Sequence, residues 1–192
     1  MKRYTILTVE NLTKLQQEVL NYLPFEMMVE ETKTKNGRII SYLHGTTDIL
    51  NNVPSLKHYL SNFNITNDNN VLIGVNVAQP YYKSPIHLDP LDFAYYSINI
   101  PICNCDNTFL HFYKATVQSE KANFGNSKHQ LNFTRYSPKD CIHLETVNTN
   151  EPYILNMTTP HQFDNSNNNK PRYMLLCRVK RNYDKDVENL LM

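Results

Sequence analysis

The chain has 192 residues, of which only four are glycine and none is tryptophan. The glycines lie far apart in the sequence, at Gly37, Gly45, Gly74 and Gly125. Phosphate-binding loops need several closely spaced glycines, because the backbone there must turn tightly and approach the phosphate. The sequence therefore excludes both a P-loop and the dinucleotide-binding fingerprint of a Rossmann fold.

Long apolar runs and an excess of charge of one sign are also missing. No segment approaches the roughly 18 apolar residues in succession that a membrane-spanning helix needs. The 19 basic and 18 acidic side chains leave a formal net charge of +1. A dedicated nucleic-acid-binding protein usually carries a broad basic surface, and this chain has no charge excess to supply one. We expect no membrane partner and find no electrostatic support for a nucleic-acid partner.

Cysteine is sparse, at positions 103, 105, 141 and 177. The amino terminus lacks the sustained apolar core and small-residue cleavage site of a signal peptide. We therefore expect a cytoplasmic protein with reduced thiols. Cys103 and Cys105, together with His111, are a weak zinc motif. Structural zinc pairs are usually spaced by two or more residues, and no second cysteine pair is present.

The first 70 residues are the helical part of the sequence. Apolar residues recur every three or four positions between Thr8, a candidate N-cap, and Leu23, which predicts an amphipathic helix. Pro54 is placed to begin a second, shorter helix, which ends before the polar segment 64–70. We expect these helices to pack outside the remaining fold.

A hairpin and a series of short strands account for the rest of the chain. Asn36-Gly37 predicts a tight turn between residues 30–35 and 38–43, because this pair readily adopts the two positive φ angles that the turn requires. Beyond residue 70, alternating apolar residues bounded by turn residues predict further strands. These predicted strands cover 71–79, 94–102, 108–116, 141–147, 153–159 and 172–180.

Many short strands with turn signals predict a mainly β fold of the sandwich, jelly-roll or barrel type. In the strand 94–102, apolar side chains alternate with Tyr95, Ser97 and Asn99. This pattern indicates one apolar buried face and one polar inner face. The length matches a single domain. We divide residues 1–192 into amino-terminal helices and a hairpin (1–70), a β core (71–180) and a tail with a short packing helix (181–192).

A histidine followed two residues later by an acid places both side chains on one face of a strand, where they can share a metal. Two such pairs occur, His87-x-Asp89 and His143-x-Glu145. Chance alone gives about 0.7 pairs of this kind in a chain of this composition, so either pair alone is weak evidence. Spacing separates the two pairs: His161, which Arg172 follows after ten intervening residues, lies 72 residues beyond Asp89 but only 18 beyond His143. Only the first pair therefore has a distant histidine and then an arginine in the expected order. We interpret the second pair as the polar face of a strand.

In this order and on a β-rich chain, His87-x-Asp89, His161 and Arg172 resemble the signature of the Fe(II)- and 2-oxoglutarate-dependent oxygenases. Two histidines and one carboxylate form the facial triad that suits non-haem Fe(II). The resemblance covers residues 71–180. It implies a double-stranded β-helix core, jelly-roll or cupin-like, with the amino-terminal helices packed outside.

The resemblance also implies a role for each of these residues. His87, Asp89 and His161 would hold Fe(II) and form the catalytic centre, and Arg172 would bind the distal carboxylate of the cosubstrate 2-oxoglutarate. With O2, such enzymes oxidise a C–H bond and release succinate and CO2. Some members carry a serine two residues after the arginine, where this chain has Met174. We therefore assign further cosubstrate contacts to Tyr82, Asn99 and Tyr113.

Simpler explanations exist for each residue taken alone. The His87 motif could form a turn before Pro90, and Arg172 could make a surface ion pair with Asp164 or Asp184. Aromatic residues in strands usually belong to the core rather than to a substrate pocket. The tyrosines that could line a substrate pocket or belong to the core are Tyr81, Tyr82, Tyr95 and Tyr96.

The expected substrate is a small molecule or a protein side chain. Two other functions remain open at this point. One is a jelly-roll, cupin-like binding module without redox chemistry, although the His-x-His pair common in cupins is absent from the sequence. The other is a nucleic-acid-modifying member of the same superfamily, which the near-neutral charge does not support. The sequence gives no indication of the oligomeric state.

Overall fold

The structure is a computed structural model of the chain. It describes residues 2–23, 40–43, 46–66, 70–89, 94–117, 120–124, 131–180 and 185–191. The predicted hairpin turn at Asn36-Gly37 and the predicted strand 30–35 lie outside these residues. No helix in the described part of the chain is long and apolar enough to cross a membrane.

Short strands are the commonest element among the described residues, as the sequence predicts. The helices are α1 (Leu12–Tyr22), α2 (Thr46–Asn52), α3 (Pro54–Ser61) and α4 (Lys185–Glu188), and Pro138–Asp140 forms a 3-10 turn. The first strands are β1 (Tyr4–Ile6), β2 (Ile40–Leu43), β3 (Val71–Ala78), β4 (Ile86–Leu88), β5 (Ala94–Cys103) and β6 (Phe109–Ala115). The later strands are β7 (Glu120–Phe124), β8 (Leu131–Tyr136), β9 (Cys141–Asn148), β10 (Tyr153–Asn156), β11 (His161–Asp164) and β12 (Arg172–Lys180).

The strands form two six-stranded antiparallel sheets. The first sheet has the order β1-β10-β5-β12-β3-β2, and the second has the order β7-β8-β4-β11-β6-β9. Neighbours within each sheet are mostly distant in sequence, because the chain crosses repeatedly from one sheet to the other. This is the arrangement of a jelly-roll core, or double-stranded β-helix, and it confirms the predicted fold class.

The first sheet is buried on both faces. Leu175, Cys177 and Val179 of β12 belong to the apolar core under the helices, whereas Met174 belongs to a second core that also contains Phe112 of the opposite sheet. Residues on a strand alternate between its faces. Arg172, Met174, Leu176 and Arg178 therefore lie on the inner face of β12, toward the second sheet.

The predicted polar inner face of β5 is confirmed for Ser97 and Asn99. Tyr95, which the pattern places with them, packs instead against the helix-side core, next to a register irregularity between β5 and β12. Ser97 and Asn99 are both buried, and the Ser97 hydroxyl donates to the Asn99 side-chain oxygen at 2.8 Å. Their neighbours Tyr96, Ile98 and Ile100 belong to the helix-side core. Buried polar side chains are costly unless they are hydrogen-bonded, and this pair meets that requirement internally.

Two predicted boundaries are wrong for local reasons. Helix α1 is capped by Asn11 rather than Thr8: the Asn11 side chain accepts a hydrogen bond from the Lys14 amide at 3.4 Å. The strand predicted over 153–159 ends at Asn156, whose side-chain oxygen accepts from the amide and the hydroxyl of Thr158. Asparagine makes such local turns readily, and here the turn stops the strand.

Candidate functional site

Two short strands of the second sheet bring the predicted triad together. His87 lies in the middle of β4, Asp89 follows directly after it, and His161 begins β11. The strands β4 and β11 are antiparallel neighbours, and His161 is paired directly with His87. Side chains directly opposite each other on paired strands are close, and the two imidazole centroids are 4.6 Å apart.

The three side chains converge on one point. One nitrogen from each histidine and one carboxylate oxygen of Asp89 all lie within 4.8 Å of one another. The Nε2 atom of His161 is 3.4 Å from Asp89 Oδ2. In the described part of the chain this is the one group of three or more histidine, cysteine or acidic side chains with that spacing.

Backbone carbonyls orient both imidazoles. His87 Nδ1 is 3.0 Å from the Pro85 carbonyl, and His161 Nδ1 is 2.9 Å from the Thr159 carbonyl. A carbonyl oxygen only accepts, so each Nδ1 carries a proton and donates. In the neutral ring, Nε2 then presents its lone pair away from that carbonyl. Such a carbonyl partner is the usual outer support of a metal-binding histidine.

The electrostatics of the triad favour the ligand forms of its side chains. Burial, assisted by the nearby His161, lowers the pKa of His87 to about 4, so its imidazole is neutral at pH 7. Burial acts to raise the pKa of Asp89. The neighbouring His161 and the charge of Arg178 outweigh it and hold that pKa well below its usual range. A neutral imidazole and an ionised carboxylate are the forms that bind a metal.

The donor set of the triad fits Fe(II). Two imidazole nitrogens and one carboxylate oxygen, grouped on one side of a point, match the facial triad of non-haem Fe(II) sites and leave the other coordination positions open. Asp89 and His161 are buried side chains, with relative exposures of 9% and 4%. A buried carboxylate beside an imidazole is a stable arrangement when a cation lies between them.

Arg178, which the sequence motif does not include, also contacts the triad. Its Nη2 atom lies 3.4 Å from Asp89 Oδ1, so the two carboxylate oxygens face different partners: Arg178 on one side and His161 on the other. The alternation of residues along β12 does indicate that Arg178 lies on the inner face, together with Arg172 and Met174. The long-range contact with Asp89 depends on how the two sheets pack, which the sequence pattern does not specify.

Arg172 lies well away from Arg178 along the same strand. It is 3% exposed, its guanidinium stands 4.2 Å from the centroid of the Phe163 ring, and Nη2 is 3.4 Å from the Thr149 hydroxyl. Its Nε atom is buried without a hydrogen-bond partner. The two arginines are separated by roughly 20 Å of strand at about 3.3 Å per residue.

The alternative of a surface ion pair between Arg172 and Asp164 is wrong. Arg172 is buried, and Asp164 is held by Lys83 at 2.7 Å and by His111 at 3.1 Å. Asp184, the other partner considered, lies outside the described residues. A buried arginine that stacks on an aromatic ring, with one donor unpaired, is an unusual element of a core.

The three further residues assigned to the cosubstrate have different placements. Asn99 is buried on the inner face of the first sheet and is paired across the strands with Leu176 and Tyr153. Tyr82 is partly buried against the core between the sheets. Tyr113 follows the fully buried Phe112 and donates its hydroxyl to Gln162 at 3.0 Å, on the outer face of the second sheet. This placement does not support a cosubstrate contact by Tyr113.

The tyrosine pairs contribute mainly to packing. Tyr96 belongs to the helix-side core, and Tyr95 packs against it. Tyr82 packs between the sheets, and Tyr81 is the exposed member, with 69% of its surface accessible. Three of the four tyrosines therefore pack in or against the cores, and Tyr81 is on the surface.

The second His-x-acid pair does not act as a unit. Glu145 forms an ion pair with Arg3 at 3.3 Å, whereas His143 Nε2 is 2.9 Å from the Thr146 hydroxyl.

The weak zinc motif is also not assembled. All four cysteines are free thiols, and the Cys105 sulfur lies near the carbonyl oxygens of Cys103 and Tyr173.

A second polar group occupies the outer face of the second sheet, and we call it the outer-face cluster: His111, His143, Thr146 and Asp164. Burial acts to raise the pKa of Asp164. Hydrogen bonds from Lys83, Ser166 and His111 outweigh it and hold that pKa well below its usual range. The cluster is therefore organised around an ionised carboxylate.

No family model matches the chain, and no curated protein matches it. Among solved structures, EvdO2 from Micromonospora carbonacea var. aurantiaca is similar at 11% identity and a TM-score of 0.50, over 93% of this chain and 87% of that one. Hydroquinone 1,2-dioxygenase PnpCD, solved with Cd2+ and 4-hydroxybenzonitrile, gives 12% identity and a TM-score of 0.29 over 58% of each chain.

Oxalate decarboxylase from Bacillus subtilis gives 10% identity and a TM-score of 0.31, over 63% of this chain. The present chain spans 24% of the length of that decarboxylase chain. At identities this low, similarity concerns the fold alone. Among these structures, EvdO2 matches nearly the whole chain, and this agrees with the jelly-roll arrangement of the two sheets.

Proposed function

We propose that the protein is an Fe(II)- and 2-oxoglutarate-dependent oxygenase that hydroxylates a C–H bond of a small molecule or a protein side chain. The observation that carries this proposal is the convergence of His87, Asp89 and His161 within 4.8 Å of one another. Their order in the sequence, followed by an arginine on the last strand, supports the same proposal.

In this function the triad supplies three ligands and leaves the remaining positions to the cosubstrate and to O2. When bound, iron together with a 2-oxo acid and O2 supplies the oxidising power for hydroxylation. The protein contributes fixed geometry. Pro85 and Thr159 hold the two imidazoles through their Nδ1 protons, and Arg178 faces the Asp89 oxygen opposite to the one facing His161.

Two arginines are candidates for binding the distal carboxylate of the cosubstrate. The sequence order favours Arg172, whose planar guanidinium suits a carboxylate and whose Nε is unpaired. The contact with Asp89 favours Arg178, because it places a cation directly beside the triad. We keep Arg172 as the proposed anchor and treat Arg178 as its competitor.

The identity of the anchor is open to a direct comparison of Arg172→Met with Arg178→Met. A hydrogen bond to a charged group contributes about 1.5–3 kcal/mol, so loss of the anchor should raise the 2-oxoglutarate requirement by about tenfold or more. The measurement is the 2-oxoglutarate concentration that gives half-maximal succinate formation. If this concentration is unchanged in Arg172→Met but raised in Arg178→Met, the assignment of Arg172 is wrong.

Succinate formation tests the function itself. Purified full-length protein supplied with Fe(II), ascorbate and 2-oxoglutarate should release succinate slowly even without a substrate. Asp89→Ala should abolish this release, and His58→Asn, a change at an exposed helix position, should leave it unaltered. Iron-loaded wild-type protein that forms no succinate would contradict the proposal.

A jelly-roll module that binds a metal without redox chemistry is the second candidate. The observation in its favour is that the Arg172 guanidinium is already enclosed by Phe163 and Thr149. The same assay separates the two functions, because such a module would bind the metal through the triad but release no succinate.

For the nucleic-acid-modifying alternative, the assay is repeated with single-stranded and double-stranded DNA or RNA, and stimulation of succinate release would support it.

A further inference from the structure

The outer-face cluster lies on the side of the second sheet opposite to the core. On β6, Leu110 and Phe112 are buried between the sheets, so His111 projects outward. His111 is paired across the strands with Thr146 of β9 and with Gln162 of β11. Histidines on two adjacent strands thus share a face that the triad does not use.

Two imidazole nitrogens in this cluster face the same point. His111 Nδ1 lies 2.8 Å from the Thr146 hydroxyl oxygen, and His143 Nε2 lies 2.9 Å from that same oxygen. The ring centroids of the two histidines are 5.9 Å apart. One hydroxyl group has a single proton, so it can donate to one of these nitrogens and must accept from the other.

The contact between His111 and Asp164 determines which nitrogen of His111 can bind a metal. His111 Nε2 is 3.1 Å from Asp164 Oδ2, and an ionised carboxylate only accepts, so Nε2 carries the proton. Nδ1 of the neutral ring then presents its lone pair toward Thr146 and His143. A carboxylate behind a histidine in this way orients the ring and raises its basicity as a metal ligand.

Asp164 is itself held in place. Lys83 Nζ lies 2.7 Å from Oδ2, and the Ser166 amide donates to Oδ1 at 2.9 Å. The positive charge of Lys83 is thereby paired with the carboxylate rather than directed at the histidines. The carboxylate behind His111 is thus buried and held by two further partners, whereas His143 and Thr146 on the edge strand β9 are exposed.

The geometry points to a second metal site on the outer face, in which His111 Nδ1 and His143 Nε2 bind a divalent transition-metal ion of the Zn²⁺ class. Imidazole nitrogens bind Zn²⁺ at about 2.0–2.1 Å, so the ion takes the position between the rings after a small rotation of the exposed His143. Water and the Thr146 hydroxyl complete its coordination. This site is independent of the proposed oxygenase activity.

Zinc titration of the metal-free full chain, followed by calorimetry, tests this inference. Wild-type protein should bind two equivalents of Zn²⁺, one at the triad and one at the outer-face cluster. His143→Asn should lose one equivalent, and Asp89→Ala should lose the other. The matched control is His58→Asn, an exposed histidine on α3, which should retain both equivalents.

A second variant should weaken zinc binding at the outer-face cluster without removing either histidine. Asp164→Asn keeps both histidines but removes the charge behind His111, and it should weaken the second equivalent by about 10- to 100-fold. Wild-type stoichiometry that is unchanged by His143→Asn would overturn the inference. Loss of an equivalent in His143→Asn, with none lost in Asp89→Ala, would support the outer-face site and count against the triad.

Discussion

At the scale of single residues, the protonation states of the triad are set by burial and by fixed partners. His87 is neutral because burial disfavours its charged form, and its Nδ1 proton is committed to the Pro85 carbonyl. Asp89 stays ionised because His161 and Arg178 outweigh the cost of its burial. His87 and Asp89 thus have the protonation states that binding of a cation would require.

The lowered pKa of His87 predicts how the stability of the metal-free protein depends on pH. The pKa falls from 6.5 in the unfolded chain to about 4 in the fold. Because the unfolded state binds the proton more readily, His87 contributes stability above pH 6.5 that is lost as the pH falls toward 4. Melting temperatures measured between pH 7 and 4 should show this decline.

The matched comparison for this prediction is His87→Asn. That variant lacks the titrating imidazole, so its melting temperature should fall less steeply between pH 6.5 and 4 than that of the wild-type protein. Parallel curves for the two proteins would show that His87 is not the group responsible. The lowered pKa values of Asp89 and Asp164 affect stability only at lower pH, so these carboxylates do not contribute to the decline between pH 6.5 and 4.

At the scale of secondary structure, local pattern predicts long elements and fails on short ones. Strand β12 matches its predicted range, and β5 extends one residue past it. The strands β4 and β11, with three and four residues, carry the triad but are too short for alternation to reveal them. The triad was nevertheless predictable, because its evidence is residue type and order rather than strand pattern.

The start of helix α1 offers a test at this scale. Asn11 provides the N-cap and adopts a positive φ of 53°, which asparagine tolerates better than alanine. Asn11→Ala should lower the free energy of unfolding by about 0.5–2 kcal/mol. Thr8→Ala, at the position that the sequence pattern favoured, should change it by less than about 0.5 kcal/mol. Chemical denaturation of both variants measures the difference, and equal effects would contradict the observed cap.

At the scale of the whole molecule, two apolar cores hold the fold together, one beneath the helices and one between the sheets. Arg178, the contact that sequence reasoning missed, belongs to this scale. It meets Asp89 only because β12 of one sheet packs over β4 of the other. Periodicity predicts which face a side chain occupies, but the residue it meets across the interior follows from packing.

The core between the sheets should be sensitive to truncation of Phe112. This side chain is fully buried and stacks on Tyr4 with ring centroids 6.0 Å apart. Phe112→Ala should lower the free energy of unfolding by about 3–5 kcal/mol, because it leaves a cavity between the two sheets. Ile142→Ala, at a residue that is 54% exposed, should stay within about 0.5 kcal/mol of the wild type. Comparable losses in both variants would contradict the assigned core.

The proposed function requires that His87, Asp89 and His161 bind one metal ion together. A crystal structure of the full chain grown with Fe(II) under anaerobic conditions tests it most directly. We expect one ion bound by Nε2 of both histidines and by an Asp89 oxygen, at distances of about 2.0–2.2 Å. An ion bound elsewhere, or a His161 side chain turned away from His87 and Asp89, would contradict it.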